Sequence, residues 1–351
     1  MTPMKASEPV RKSLLTYAFA RSALYQAEGL MAPAIEAIVT RKRPRLLFDD
    51  KELFKAARGA MEELLKNDVE RIVAGVYPVE VLRPGSPIRH LLRIPAMFRE
   101  GLAIARRRRS KKAHEFSAEA RDLLEGLPEY YQRNFHFQGD GYLSGHSAEL
   151  YDHQVDVLFA GTSDAMRRLI IAPMKAHFGG GDGEGLKFLE VGAGTGRTAQ
   201  FIRLAFPRAK ITALDLSAPY LKKAQARLMK YPRHDYVEAD AAHLPFLDES
   251  FDAVYSTFLF HELPMQTRRE VLTQAKRVLR DGGFVGMVDS LQIGDVPAFD
   301  DALEQFPKDF HEPFYKSYVD HPMERLFEES GFEAPSTETG FFSKVVTSRK
   351  S

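Results

Sequence analysis

The spacing of apolar side chains changes character along the chain. Residues 12–42 and 51–74 repeat apolar positions every three or four residues, which predicts amphipathic helices. From residue 186 onwards, short apolar runs that end in glycines or acids alternate with helical stretches, which predicts buried parallel strands joined by helices. We therefore expect an α-helical N-terminal region followed by an α/β domain.

Turn and cap signals divide the helical region. Gly29 and Pro33 are expected to separate the first stretch into two helices, because glycine and proline interrupt helices. Asp49-Asp50 is expected to cap a helix that begins at Lys51, since a carboxylate there can accept the first free N–H groups.

A glycine-rich turn follows the first strong strand signal. The apolar run Leu186–Val191 leads into glycines at positions 192, 194 and 196, and the helical pattern Thr198–Ala205 follows. Such a turn lets the backbone approach a ligand closely and directs unpaired N–H groups of the helix N-terminus towards it. A glycine triplet alone is a weak signal, so the segments that follow decide its meaning.

Three further strand signals end in polar residues. The run Lys210–Ser217 contains Asp215, about 20 residues beyond the turn, the offset expected for an acid that binds ribose. The run Tyr236–Asp240 ends in a second acid, and Phe251–Ser256 leads to His261. Because the carboxyl ends of parallel strands meet at one edge of a sheet, these polar residues are expected to converge.

Together these segments resemble the class I S-adenosylmethionine (SAM)-dependent methyltransferases, in particular the type 11 branch with the ubiquinone and menaquinone methyltransferases. The likeness covers residues 186–290 motif by motif. The family's acid followed by Gly-x-Gly-x-Gly is matched by Glu190, Gly192, Gly194 and Gly196. This differs from the Gly-x-Gly-x-x-Gly spacing of dinucleotide sites, which disfavours a nicotinamide cofactor.

The resemblance implies an architecture. It is a Rossmann-like, seven-stranded, doubly wound sheet with an antiparallel last strand, preceded by the α-helical N-terminal region. We place the helical region at residues 1–128, a lid or connector at 129–178, and the SAM-binding domain at 179–351 with a substrate-side insertion at about 291–331. Residues 129–153 are dense in aromatic, histidine and glycine residues, which favours a lid, although packed core at a domain junction is the alternative.

The resemblance also implies S-adenosyl-L-methionine as the cofactor and S-adenosyl-L-homocysteine as its product. Glu190 would hold the amino group, Asp215 the ribose hydroxyls and Asp240 the adenine amino group. The other predicted cofactor-binding residues are backbone positions of the turn and apolar neighbours of the two acids: Gly192, Ala193, Gly194, Leu216, Ala241 and Phe258.

A general base is sought among the histidines near the predicted cleft. His261, just after the fourth strand, and His136, in the lid segment, are the two candidates, although a structural role for His261 is an open alternative. The weaker candidates are His146, His153, His311 and Tyr315. The stretch His261–Pro264 lacks a second histidine at helical spacing, so no metal is assigned.

Charge is distributed unevenly, although the net charge is +1. Residues 1–120 carry 23 Lys and Arg against 14 Asp and Glu, whereas the remainder carries 26 against 34. The basic run Arg106–Lys112 has two interpretations: a solvated helix end, or a peripheral contact with an anionic membrane. The acidic catalytic half disfavours nucleic acid as a partner.

The composition excludes several kinds of chemistry. The chain has no cysteine, so disulfides, thiolate ligands and a thiol nucleophile are excluded. No apolar run approaches the ~20 residues that span a bilayer, and we expect a cytoplasmic protein.

We therefore expect a SAM-dependent methyltransferase that acts on oxygen or activated carbon of a small lipophilic or aromatic acceptor. The alternatives are methylation of a quinone or lipid precursor at a membrane surface, and SAM binding without turnover. The sequence carries no signal for the oligomeric state.

Overall fold

The computed structural model describes residues 8–40, 50–83 and 87–351. The first part of the chain is helical, and the second part forms a seven-stranded sheet with helices packed against it. The predicted fold class is confirmed.

The sheet has the order β3-β2-β1-β4-β5-β7-β6. The first five strands are parallel, and the last two pair antiparallel to their neighbours. Their bounds are β1 Lys187–Val191, β2 Lys210–Asp215, β3 His234–Glu238, β4 Phe251–Thr257, β5 Leu279–Ser290, β6 Ser336–Gly340 and β7 Ser343–Arg349. The strand order reverses between β1 and β4, which creates a crevice at their carboxyl ends.

The burial of the central strand β1 explains why the sequence predicts a strand so clearly there. Phe188, Leu189 and Val191 on β1 are fully buried, because both faces of the sheet are covered by helices. A strand buried on both faces is apolar at successive positions rather than at alternate ones. The strand ends at Val191, directly before the glycine turn.

The N-terminal helices differ in detail from the prediction. The break falls at Gly29, where α1 (Glu8–Gly29) ends, but Pro33 lies in the first turn of α2 (Met31–Thr40) and does not divide a helix. Proline fits there because the first-turn N–H groups have no partner within the helix. Asp50 caps α3 (Lys51–Val73) by accepting from the N–H groups of Glu52 and Leu53, whereas Asp49 lies outside the described residues.

The helices of the described residues surround the sheet and the loops before it. Their bounds are α1 Glu8–Gly29, α2 Met31–Thr40, α3 Lys51–Val73, α4 Pro87–Ser110, α5 Ala118–Asp122, α6 Gly145–Leu158, α7 Ser163–Arg167, α8 Ile171–His177, α9 Arg197–Ala205, α10 Ala218–Leu228, α11 Met265–Val278, α12 Asp300–Asp309, α13 Tyr315–Val319 and α14 Met323–Glu329.

Helix α3 joins the N-terminal region to the core of the sheet. Leu64, Leu65 and Val69 on α3 belong to the same hydrophobic cluster as the central strands. Beside them, Arg168 Nη2 lies 2.6 Å from Asp68 Oδ2, and both side chains are buried. A buried, paired charge of this kind fixes the position of α3, since separating the pair would leave each charge uncompensated.

The basic run at the end of α4 is partly engaged within the protein. Arg107 donates to Glu100 at 2.7 Å and to the carbonyl of Phe137 at 2.6 Å, and Arg109 donates to the carbonyl of Val39. Arg106 and Lys111 are exposed. Within the described residues, no helix is both long enough and apolar enough to cross a membrane.

Candidate active site

A cleft opens at the carboxyl ends of β1 to β4. All nine residues predicted to bind the cofactor line it: Glu190, Gly192, Ala193, Gly194, Asp215, Leu216, Asp240, Ala241 and Phe258. The structure thus brings them together at one edge of the sheet, and their individual roles stay predictions.

The glycine turn has a conformation that favours glycine. Gly192 and Gly194 have φ angles of +69° and +53°. A Cβ atom on Gly192 would also meet the Leu259 side chain at 3.0 Å. The turn therefore keeps the backbone at the floor of the cleft accessible, as close approach of a ligand requires.

Asp215 connects this turn to the second strand. One carboxylate oxygen accepts from the N–H of Gly194 at 2.6 Å, and the other accepts from Ser217 at 2.8 Å. Burial nevertheless raises the pKa of Asp215 to about 6. Asp215 thus supports the turn and also presents a carboxylate to the cleft.

Glu190 is buried at the base of the cleft. Its side chain accepts a 3.4 Å hydrogen bond from Tyr255, and burial, with a further contribution from Asp215, raises its pKa to about 8. An ammonium group in the cleft would restore the charged form of this carboxylate. Glu190 therefore fits the amino group of SAM, and the glycine turn and Asp215 fit the rest of an adenosyl ligand.

Aromatic side chains from the segment before α6, and from α6 itself, form one wall of the cleft. Phe135 stacks on Tyr142 at 5.4 Å between ring centroids, and Tyr142 meets Tyr220 edge-on at 5.3 Å. The lining rings from this segment are Tyr130, Tyr131, Phe135, Tyr142 and Tyr151. They are packed against one another and also face the cleft, and the lid interpretation of residues 129–153 stays a prediction.

A second group of polar residues lies beside Glu262, at the end of β4. His261 Nδ1 lies 2.6 Å from Asp289 Oδ1, and Asp289 also accepts from the N–H of Phe260. Burial alone would lower the pKa of His261, but the Asp289 carboxylate raises it to about 9. His261 Nε2 lies 3.8 Å from Glu262 Oε1, which itself lines the cleft.

His136 lies between two glutamates. Its Nε2 is 3.3 Å from Glu262 Oε1, and its Nδ1 is 2.8 Å from Glu312 Oε1. Burial opposes protonation, but Glu312 and Glu262 together raise the pKa of His136 to about 10. The Tyr142 hydroxyl contacts both His136 and Glu262. The two neighbouring carboxylates therefore favour the protonated form of His136.

Comparison with known proteins identifies the family. A protein-family model, described as a methyltransferase domain, matches residues 188–283. Demethylmenaquinone methyltransferase of Thermotoga maritima is 32% identical over 177 residues, which cover 45% of this chain and 74% of that protein. The chain belongs to the class I SAM-dependent methyltransferases. The predicted family and its cofactor, SAM, are confirmed.

Another curated relative matches a slightly smaller share of this chain. Fatty-acid O-methyltransferase of Mycolicibacterium smegmatis is 34% identical over 146 residues, 41% of this chain and 52% of that protein. The chain spans about half the length of the first curated relatives it matches. Among solved structures, the CurJ carbon methyltransferase aligns over 98% of this chain and 96% of its own, with 16% identity and a TM-score of 0.48.

The weaker catalytic candidates of this methyltransferase separate in space. His146 is exposed on α6, and His153 is buried against Glu28, away from the cleft lining. The His311 ring packs against Phe137. Two of them contact a main candidate: the Tyr315 ring meets His261 at 6.0 Å between centroids, and the carbonyl of His311 accepts from the N–H of His136 at 3.4 Å.

Sequence reasoning missed Glu262 and Glu312 as members of the group. Glu262 follows His261 directly, and the carboxyl end of a parallel strand was the signal that could have identified it. Glu312 comes from the late insertion before α13, and its side chain is fully buried. No local pattern indicates its contact with His136, because 176 residues separate the two.

Proposed function

We propose that this methyltransferase transfers a methyl group to oxygen or activated carbon of a small lipophilic or aromatic acceptor. The observation that carries the proposal is the His261–Asp289 pair, in which Nε2 of His261 lies 3.8 Å from Glu262, a residue that lines the cofactor cleft. The names of similar proteins, a fatty-acid O-methyltransferase and a demethylmenaquinone methyltransferase, support an acceptor of this class.

The pair suits proton removal from an acceptor. SAM supplies an activated methyl group, so the acceptor atom must be freed of its proton where its own pKa is high. Asp289 holds Nδ1 of His261, which leaves Nε2 as the nitrogen that accepts the proton. The Asp289 carboxylate then stabilises the imidazolium that forms, as an acid does in other histidine–carboxylate pairs.

His136 acts as a positioning residue in this proposal. It contacts Glu262 and Glu312 with its two ring nitrogens and therefore holds Glu262 at the cleft. Both ring nitrogens of His136 face carboxylates, at 3.3 and 2.8 Å, whereas Asp289 holds only Nδ1 of His261, so His261 is the stronger candidate for proton removal.

The aromatic wall supports a lipophilic acceptor. The cleft that Glu262 lines is also lined by the rings of Tyr130, Tyr131 and Phe135. Rings of this kind bury flat or apolar ligands and exclude water from the reacting atoms.

The test is methyl transfer from labelled SAM to a panel of phenols, fatty acids and quinone precursors. We expect turnover of at least one class, and we expect His261→Gln to lower kcat by about 10²–10⁴-fold with unchanged affinity for S-adenosylhomocysteine. His146→Gln, on an exposed face of α6, is the matched control and should retain full turnover. Full activity of His261→Gln would exclude His261 as the base. Tight cofactor binding with no turnover of any class would favour a SAM-binding protein without catalysis.

Methylation at a membrane surface is the second candidate. It is supported by the exposed Arg106 and Lys111 at the end of α4, together with the lipid-related acceptors of similar proteins. Binding to vesicles that contain anionic lipid is expected at low salt and should fall as salt rises. Absence of binding at low salt would remove this candidate.

A further inference from the structure

A second cavity lies between the N-terminal helices and α6, away from the aromatic wall. It has a volume of about 1290 Å³ and is bounded by α1, α4, α6, α9 and α10. Three potential metal ligands, Glu28, His90 and His153, share its wall. None of the three takes part in the chemistry proposed above.

The three side chains converge on one point. Glu28 Oε1 lies 2.5 Å from His90 Nε2, and Glu28 Oε2 lies 2.7 Å from His153 Nε2. The two imidazole rings are stacked, with centroids 4.4 Å apart and an interplanar angle of 23°. All three ligand atoms lie within 4.8 Å of one another.

We propose that Glu28, His90 and His153 form a binding site for a divalent transition-metal ion, with Zn²⁺ as the expected occupant. Two imidazole nitrogens and one carboxylate oxygen are a ligand set that zinc uses in proteins, with a fourth position open to water or another ligand. The adjoining cavity supplies space for that fourth position.

The spacing of the donors supports this assignment. Ligand atoms about 2.0–2.1 Å from a tetrahedral zinc ion lie about 3.3 Å from one another. The observed nitrogen–oxygen separations of 2.5 and 2.7 Å are shorter. Binding of an ion would therefore lengthen each of these two separations by less than 1 Å. The cluster thus needs only small side-chain movements.

The surroundings hold the ligands ready for metal. The Tyr25 ring meets His90 and His153 edge-on, at 5.5 and 5.8 Å between centroids, and so restricts both imidazoles.

The ligands come from three separate helices, α1, α4 and α6. Sequence analysis assigned no metal, and the ligand separations, 62 and 125 residues from Glu28, match no local motif. A metal ion would tie α1 and α4 to the helix that also carries Tyr151 of the cofactor cleft. Binding to the folded state alone would therefore stabilise this junction.

The test is titration of the tag-free, chelator-treated full chain with Zn²⁺ and Co²⁺ in competition with a chromophoric chelator. We expect one ion per chain, absorption bands of four-coordinate cobalt, and a rise in Tm on addition of Zn²⁺. Glu28→Gln and His153→Gln should each weaken Zn²⁺ binding at least about 100-fold, more than loss of an outer-shell partner costs. Neither variant should show the rise in Tm.

Two controls separate this site from other histidines. His146→Gln alters an exposed histidine on the same helix and should bind Zn²⁺ as the wild type does. His136→Gln disrupts the second cluster, His136 with Glu262 and Glu312, and should also leave binding intact. Where a buried variant unfolds, His90→Gln replaces it, because His90 is partly exposed. The proposal is overturned by the absence of stoichiometric binding, by binding that survives both ligand substitutions, or by binding lost only in His136→Gln.

Discussion

The Thr195 hydroxyl donates a 2.8 Å hydrogen bond to the Asp152 carboxylate, which joins the glycine turn after β1 to helix α6. The other oxygen of Asp152 contacts Arg227 on α10. The helix that precedes the catalytic sheet is therefore tied to the loop that floors the cofactor cleft. Because Tyr151 lies next to Asp152 on the chain, movement of α6 would change the wall of the cleft as well.

Removal of the Asp152 carboxylate is expected to destabilise the fold. Asp152→Ala leaves the partly buried Arg227 without its partner, and we expect a loss of about 2–3 kcal/mol, below the cost of breaking a fully buried pair. Glu149→Ala is the matched control, since Glu149 also links α6 to α10 but is 45% exposed. Its effect should stay below about 1 kcal/mol. Denaturant unfolding measures both, and equal losses would contradict the role of Asp152.

Asp215 is expected to contribute directly to cofactor affinity. Asp215→Ala should weaken binding of S-adenosylhomocysteine by about 1–3 kcal/mol, because charge-assisted hydrogen bonds are lost. Calorimetric titration measures this, and thermal unfolding shows whether the glycine turn that Asp215 supports is still folded. Asp235→Ala, on the edge strand β3 and 51% exposed, should bind normally. Unchanged affinity in a folded Asp215→Ala variant would refute the placement of the ribose.

Cofactor binding is expected to release a proton from Glu190. The raised pKa of about 8 means that Glu190 is largely protonated at pH 7, and an ammonium group in the cleft favours the carboxylate instead. The affinity for S-adenosylhomocysteine should therefore increase as pH rises from 6 towards 8.

Calorimetry in buffers of different ionisation enthalpy measures this release. The binding enthalpy should depend on the buffer for the wild type and much less for Glu190→Gln. A release of the same size in both proteins would assign the proton to another group.

The residues that could be placed from the sequence share one property. Glu190, Gly194 and Asp215 lie at, or directly after, the carboxyl ends of predicted strands. Parallel strands bring their carboxyl ends to one edge of the sheet, independently of how the loops pack. The contacts of His136 could not be placed in this way. Its partners Glu262 and Glu312 belong to other loops, and their meeting depends on how those loops pack.

Helical phase explains the separation of Tyr151 from His153. Both were assigned to one lid segment, but residues two apart on a helix differ by about 200° in direction. Tyr151 therefore faces the cofactor cleft, whereas His153 faces Glu28 and the second cavity. The sequence assigned this segment only as a lid or connector, which gave no basis for assigning helix faces.

Stability is expected to fall as the pH becomes alkaline. Glu312 and Glu262 raise the pKa of His136 to about 10, above the 6.5 of an ordinary histidine, so the folded state holds a proton that the unfolded chain releases. This contribution is fully present below pH 6.5 and is lost as the pH rises through 10. Glu312→Gln should flatten the dependence. Unfolding free energies between pH 6.5 and 9.5 test it, and an equally steep fall in Glu312→Gln would contradict the assignment to His136.

The rate of methyl transfer is expected to follow the titration of His261. Asp289 raises the pKa of His261 to about 9, so the neutral ring that accepts a proton becomes more abundant as pH rises towards that value. At saturating substrates, kcat should increase about tenfold per pH unit below the inflection. Asp289→Asn removes the negative charge and should move the inflection to lower pH while reducing the maximal rate. An inflection that stays in place in Asp289→Asn would show that another group removes the proton.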